Sequence, residues 1–365
     1  MDASWTPAWH RENLVPAFMG KGLPLIKFGR KKYLWGNMPV GDILIVNDNE
    51  GGDDRQRDVT LFFAVSGDLR NVIETIASIP AAHKGKCDVV VNDTDFAIVA
   101  RNAIMLLVAL PRCRSRKSRH HSRLVFSLAA LCDGTISSDR HFASDRRRLQ
   151  QDYEQAARLN TGEDFSIRGR SVRLVLKKEQ WSRLVTYFQA PEGLTAEEAQ
   201  ALRRDITLAP SRVDFRERAM VQWSPALRQG EQHYRELGVL LPYGCPISVL
   251  DTSNPTFFQT RDWPMTDSAS PRDEWSHADH SKHTLTAKAA TFGAIFSMLR
   301  DLLFKFGERV QDTSISFELS CTSALNITGH NGTRRFDRIE ISNICDRGYV
   351  GPYASFESLL MPSER

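Results

Sequence analysis

Val59-Thr-Leu-Phe-Phe-Ala-Val65, broken by Ser66-Gly67-Asp68 and followed by Leu69, Val72, Ile73 and Ile76 up to Pro80, decides the fold class. A continuous apolar run of strand formers is the pattern of a strand buried on both faces. Spacings of three and four after the break put the next apolar residues on one face of a helix, which Pro80 ends. The plan then repeats. Asp88-Val-Val-Val91 reads as a short strand, Asn92-Asp93-Thr94-Asp95 supplies turn and N-cap oxygens, and Phe96 to Leu110 reads as an apolar helix stopped by Pro111. Strand, helix, strand, helix over so short a stretch predicts parallel strands joined by right-handed crossovers. The fold class is therefore α/β.

Outward from this unit the order changes. Residues 1–58 form a lead segment with a polar stretch from Asn47 to Asp58, and the first part of the α/β domain is expected over 59–131. Pro111 to Arg148 is basic and irregular, with Arg112, Arg114, Arg116, Lys117, Arg119 and Arg123 close together. Leu149 to Leu159, Lys177 to Phe188, Thr195 to Ile206 with its Thr-x-x-Glu start, and Phe215 to Leu237 have helical spacing. Residues 132–285 are thus expected to be mainly a helical insertion followed by a loop, since Gly244 to Pro271 is rich in turn formers. A return to the α/β domain is expected over 286–365. There, Ala289 to Phe306 reads as a core helix, and Ser314 to Leu319 and Phe336 to Ser342 as strands. The third strand of the sheet has two candidates, Leu124 to Ala130 and Ser314 to Leu319.

Composition narrows the function classes. Lys plus Arg 48 against Asp plus Glu 44 leaves +4 over 365 residues, too little to argue for nucleic acid without a concentrated patch. The Arg112 to Arg123 run lacks the interleaved aromatics of a single-strand binder and reads as a surface loop. No window reaches the roughly 18 apolar residues of a membrane span, and the N-terminus lacks the pattern of a secretory signal. The six cysteines form no C-x-x-C pair, so ordinary zinc-finger spacing is excluded and free thiols in a reducing compartment are expected. A cytoplasmic location follows. His277, His280 and His283 recur at threes, but no carboxylate or cysteine nearby in sequence completes a zinc site, so they read as a solvated histidine-rich loop or helix start.

In open parallel sheets, ligands bind outside the carboxyl ends of the strands. The residues to weigh are therefore Ser66 to Arg70, Asn92 to Asp95 and Ser342 to Asp346. Gly67 permits close backbone approach, and Asp93, 26 positions later, stands near the spacing at which an acid accepts hydrogen bonds from a ribose. That arrangement suits a nucleoside-bearing cofactor. Asp68 and Arg70 have a second reading as a pair that caps the helix, and Asp93 and Asp95 as N-caps of the Phe96 helix. No acid, base and nucleophile set is apparent.

Several stretches resemble one family. Tyr33-Leu-Trp-Gly-Asn-Met-Pro39 with Asp42, Asn49-Glu-Gly51, Leu61 to Val72, and Val89-Val-Val-Asn-Asp-Thr-Asp95 leading to Val99-Ala-Arg-Asn102 are similar to the N-terminal domain of unknown function of fungal MYND-finger-type proteins. An axonemal dynein assembly factor shares that domain. The resemblance continues through Arg235 to Gly244, Asn254 to Phe258, Trp263-Pro-Met265, Leu299 to Leu303, Phe336 to Ile344 and Gly348 to Gly351. It implies a Rossmann-like, methyltransferase-like, mostly parallel sheet with a helical insertion. The relatives continue into further sheet elements beyond the position of Arg365, so the sheet is expected to be incomplete at its C-terminal part. S-adenosylmethionine is the cofactor implied, with Gly67, Asp68, Asn92, Asp93, Ser342 and Asn343 as the cofactor edge. The MYND zinc module is absent, and no metal is assigned. Two functions remain in play: a non-catalytic interaction or assembly module with a protein partner, and a methyltransferase of unknown substrate.

Overall fold

A computed structural model describes residues 5–15, 27–46, 57–112, 135–136, 164–167, 170–242, 244–245, 247, 250–283, 290–323, 334–342 and 360. The chain divides into two compact units. One comprises Met1–Pro39, Ala129–Arg140 and Gln189–Arg300, the other Val40–Leu128, His141–Phe188 and Asp301–Arg365.

The second unit is built on the predicted sheet. Its strands are β1 (Val59–Phe63), β2 (Cys87–Asp93), β4 (Asp164–Ile167), β5 (Arg170–Val175), β7 (Ile315–Cys321) and β8 (Arg338–Glu340), in the spatial order β4-β5-β7-β2-β1-β8. β5, β7, β2, β1 and β8 run parallel, and β4 adds an antiparallel edge beside β5. This is a Rossmann-like α/β arrangement. β2 lies centrally, and every one of its residues except Asp88 is buried, as its Val89-Val-Val91 run requires. Burial pushes the Cys87 thiol up to about 12, so it stays a neutral, inert packing group.

Helices Arg70–Ser78 and Phe96–Arg112 follow β1 and β2. The first buries Val72, Ile73 and Ile76, the positions its spacing picked out. The second runs through Pro111 to Arg112 rather than stopping before the proline, since a proline in the last turn gives up one backbone bond and crowds one carbonyl without interrupting any further turn. It packs against β2, β5 and β7, and Phe96 meets the Tyr187 ring edge-on at 5.7 Å. On the β1–β8 side, Phe62 and Phe336 stack at 4.8 Å within a small core that includes Ala64 and Val90.

Two expectations change here. Ser314 to Leu319 supplies the strand beside β2, paired in register from Cys87–Ile315 to Asp93–Cys321, whereas Leu124 to Ala130 lies outside the described residues. Within the stretch read as helical, residues 164–175 instead hold the β4–β5 hairpin. Val172 and Leu174 are buried while Arg173 is exposed, a period-two signal too short to stand out among helical neighbours. The predicted Leu149 to Leu159 helix is outside the described residues.

The first unit is mainly helical. Ala196–Thr207 starts at the predicted capping box, in which Thr195 Oγ1 accepts from the Glu198 N–H and Glu198 accepts from the Thr195 N–H, both at 3.2 Å. The predicted Phe215 to Leu237 helix is two helices, Val213–Met220 and Pro225–Leu237, because Ser224-Pro225 starts a new one with Ser224 as its cap. Gly238 ends it with φ +69, a left-handed conformation that glycine adopts without a Cβ penalty. β3 (Thr135–Ile136) and β6 (Thr252–Ser253) form a short antiparallel pair.

The Gly244 to Pro271 stretch, read as a loop, is irregular but supplies core. Phe257, Phe258, Trp263 and Met265 are all buried, and Trp35 lies 5.9 Å from Phe257 and 6.1 Å from Trp263, ring to ring. Asn254 makes this possible: its side chain accepts from Thr256 N–H and Oγ1, and its carbonyl accepts from Phe257 and Phe258. The same unit holds a largely buried ionic network. Glu231 accepts from Arg235 Nε at 2.8 Å and faces Arg272 at 3.9 Å, Arg235 also donates to the carbonyls of Thr207 and Asp267, and Asp267 holds Arg212 at 2.8 Å. The same Asp267 accepts the Phe28 N–H, which ties the lead segment to this unit.

Candidate functional site

Parallel strands deliver their carboxyl ends to one edge of the sheet, and that edge collects the polar residues of the second unit. Ser66, Asp68, Asn92, Asp93 and Asn102 are all buried there, although most buried positions in this sheet are apolar. Burial of so many polar groups is tolerable only if they satisfy one another.

They largely do so. Asn92 uses its whole amide: Nδ2 donates to the Ala64 carbonyl at 2.9 Å and the Thr322 carbonyl at 3.0 Å, while Oδ1 accepts from Ser320 Oγ at 2.9 Å and the Thr322 N–H at 3.1 Å. It clips the ends of β1 and β7 to β2. Asp93 accepts the Gly67 N–H at 3.0 Å through one oxygen and the Asp95 N–H at 2.8 Å through the other. Burial pushes its carboxyl above the usual range, against the pull of those backbone donors. Gly67, at φ +55, is held from both sides, since Asn102 Nδ2 donates to its carbonyl at 2.7 Å. An added Cβ at Gly67 would meet no atom of the described residues within 4 Å, so among them its outer side is open.

At the start of the Arg70–Ser78 helix, Asp68 Oδ1 accepts the Arg70 N–H at 3.1 Å and Oδ2 binds the Arg70 guanidinium at 2.9 Å. The two residues pair and cap the helix, so an anion already stands at its positive end. Asp95 caps the following helix by accepting the Ala97 N–H at 2.8 Å. Ser342, at φ +52, donates its N–H to Glu340 at 2.6 Å, and Asn343 lies outside the described residues, as do Cys345 and Asp346.

Two residues of this edge take no role from the sequence, although Asn102 stands in one of the stretches that carry the resemblance. Asn102 is fully buried, and its Oδ1 has no hydrogen-bond partner among the described residues. The signal was a lone amide inside the apolar run Phe96 to Leu107, at a position turned back to the β1 loop. Glu340 is the other. Burial raises its carboxyl to about 7, with Asp68 adding to the rise and the Ser342 N–H and Arg70 opposing it, and its Oε2 has no partner among the described residues. Glu340 is half-buried as a residue, and a charged side chain in a short strand carries no local sign that one of its oxygens is shielded.

The other sequence candidates fall elsewhere. His277 and His280 pack ring to ring at 4.9 Å in the first unit, and His280 is buried rather than solvated. Desolvation, with His277 and Arg272 adding to it, lowers its pKa. Among the described residues, no group of three metal-ligating side chains converges. Beyond Arg112, the basic run lies outside the described residues. Among the described residues, no helix is long and apolar enough to cross a membrane.

A family model described as a domain of unknown function (DUF4470) matches residues 34–129. The match contains β1, β2, the helices after them and the loops at Gly67 and Asp93, whereas Glu340 and Ser342 fall outside it. No curated protein and no solved structure matches the chain.

Proposed function

We propose that this chain is a non-catalytic interaction or assembly module, acting in the cytoplasm on a protein partner and built on a methyltransferase-like sheet. One observation carries the reading: the strand-end groups suited to a nucleoside cofactor are engaged with one another. The Gly67 N–H goes to Asp93, the Gly67 carbonyl to Asn102, the Asn92 amide to three backbone groups and Ser320, and Asp68 to Arg70. A ligand that displaced these bonds would have to replace each one to break even. Such an interlocked edge stabilises the sheet instead. The residues thus fit S-adenosylmethionine poorly.

The alternative, a methyltransferase, draws on the open side of Gly67. Methyl transfer needs alignment of two reactants more than a general base, so a missing base does not weigh against it. Calorimetric titration of the folded chain with S-adenosylmethionine separates the two. We expect no heat of binding and no rise in melting temperature at millimolar ligand. Binding at one hundred times its Kd would add about 2.7 kcal/mol of stability, a shift too large to miss, and would put the methyltransferase first.

A further inference from the structure

β8 is a short member of the sheet. It is three residues long, and among the described residues it stands at the edge with β1 as its ladder partner, while Phe336 just before it makes a single bridge to Leu360. Its last residue, Glu340, lies in register beside the buried Phe63, and its carbonyl accepts the Ala64 N–H at 2.8 Å. An acid in that register sits on the Phe63 side of the sheet rather than outside it.

Its carboxyl is poorly provided for. Oε1 accepts the Ser342 N–H at 2.6 Å, in a turn that forces Ser342 into a left-handed conformation that non-glycine residues seldom adopt. Oε2 is buried with no hydrogen-bond partner among the described residues. Among the described residues, the charged groups facing it are Arg70 and Asp68 from the loop and helix after β1. Arg70 is bound to Asp68 at 2.9 Å, so its charge is largely met before it reaches Glu340. On β8 itself, Arg338 donates to the Asp337 carbonyl, and Asp337 is taken by Arg57 and the Thr60 N–H. A neutral carboxyl suits this position, whereas an ionised one leaves a desolvated charge without a donor for half of it.

We propose that Glu340 is a protonation-controlled latch on the edge strand: uncharged it holds β8 against β1, and ionised it releases that pairing locally. The sign follows from linkage. The closed edge binds the proton with a pKa of about 7, and the opened, hydrated edge with the ordinary 4.5. Between those values the closed form holds more protons than the open one, so closure weakens as pH rises through that window and levels off above it. The consequence is an edge of β1, carrying Phe62 and Phe63, that becomes accessible for strand pairing toward the alkaline side.

Native-state hydrogen exchange of the full chain tests this, with the Ala64 amide as reporter and the Cys87 amide, bonded to the Ser314 carbonyl at 2.9 Å, as the internal control. After correction for intrinsic rates, Ala64 protection should fall about tenfold between pH 6 and pH 8 while Cys87 protection stays level. Glu340→Gln, which copies the shape of the neutral acid, should make Ala64 protection level as well. An unchanged Ala64 in the parent chain, or the same fall in Glu340→Gln, would overturn the latch. Should the variant fold poorly, carbon-detected titration of the Glu340 carboxyl in the parent decides the matter, and an ordinary value between 4 and 5 would overturn the proposal.

Discussion

Asn92→Ala should lower the unfolding free energy by about 3–5 kcal/mol, among the largest effects expected of any single change in the sheet. Four hydrogen bonds are lost, each worth about 1 kcal/mol net, and the partners left behind are stranded in a dry site. The Ala64 and Thr322 carbonyls and the Thr322 N–H belong to the backbone and cannot turn away to find water. Urea denaturation gives the number directly: the midpoint should fall with little change in slope, because the surface exposed on unfolding is the same. A loss below about 1 kcal/mol would mean that solvent reaches this edge and satisfies the stranded groups, and the interlocked site would then be wrong.

In the helical unit the largest effect is expected at Glu231. Removing one partner of a buried ion pair leaves the other charge uncompensated, at a cost of about 3–5 kcal/mol. Glu231→Ala does so to Arg235, whose Nε loses its carboxylate, and it also removes the carboxylate that Arg272 faces at 3.9 Å. Replacing the pair together should behave differently. Glu231→Met with Arg235→Met removes both charges, and it should be clearly milder than the single change unless the Thr207 and Asp267 carbonyls suffer from losing the guanidinium. Thermal denaturation of the two variants beside the parent reads the difference. Equal losses would show that the guanidinium's carbonyl bonds, and not its pairing with Glu231, hold this part of the unit.

These two expectations rest on side chains of different legibility. Asn92 stood out in the sequence because it follows a run of valines at a strand end, where polar residues gather for ligands or for each other. Its bonds to Ser320 of β7 and to Thr322 just past that strand, over 200 positions away, had no sign in the sequence. Glu231 gave no such sign, since an acid four residues before an arginine on a helix looks like an ordinary surface pair. Its neighbour Arg272 and the Asp267 carbonyl that shares Arg235 come from within and just past the Gly244 to Pro271 stretch, whose turn-rich composition reads as loop.

By itself the sequence determined what local physics controls: two βα units from their apolar runs, the Thr195–Glu198 capping box, the end of helical spacing at Leu237, and, as one of two readings, the pairing of Asp68 with Arg70 two positions on. Each depends on residues within one or two turns of each other, so spacing and chemistry suffice. Tertiary structure alone decided the rest. It set β7 between β2 and β5, added the β4–β5 hairpin to the sheet, buried the Phe257 to Met265 segment, and put Glu340 beside Phe63. These features depend on which distant segments remove water from one another, and desolvation of a group is a property of its neighbours in space, not in sequence.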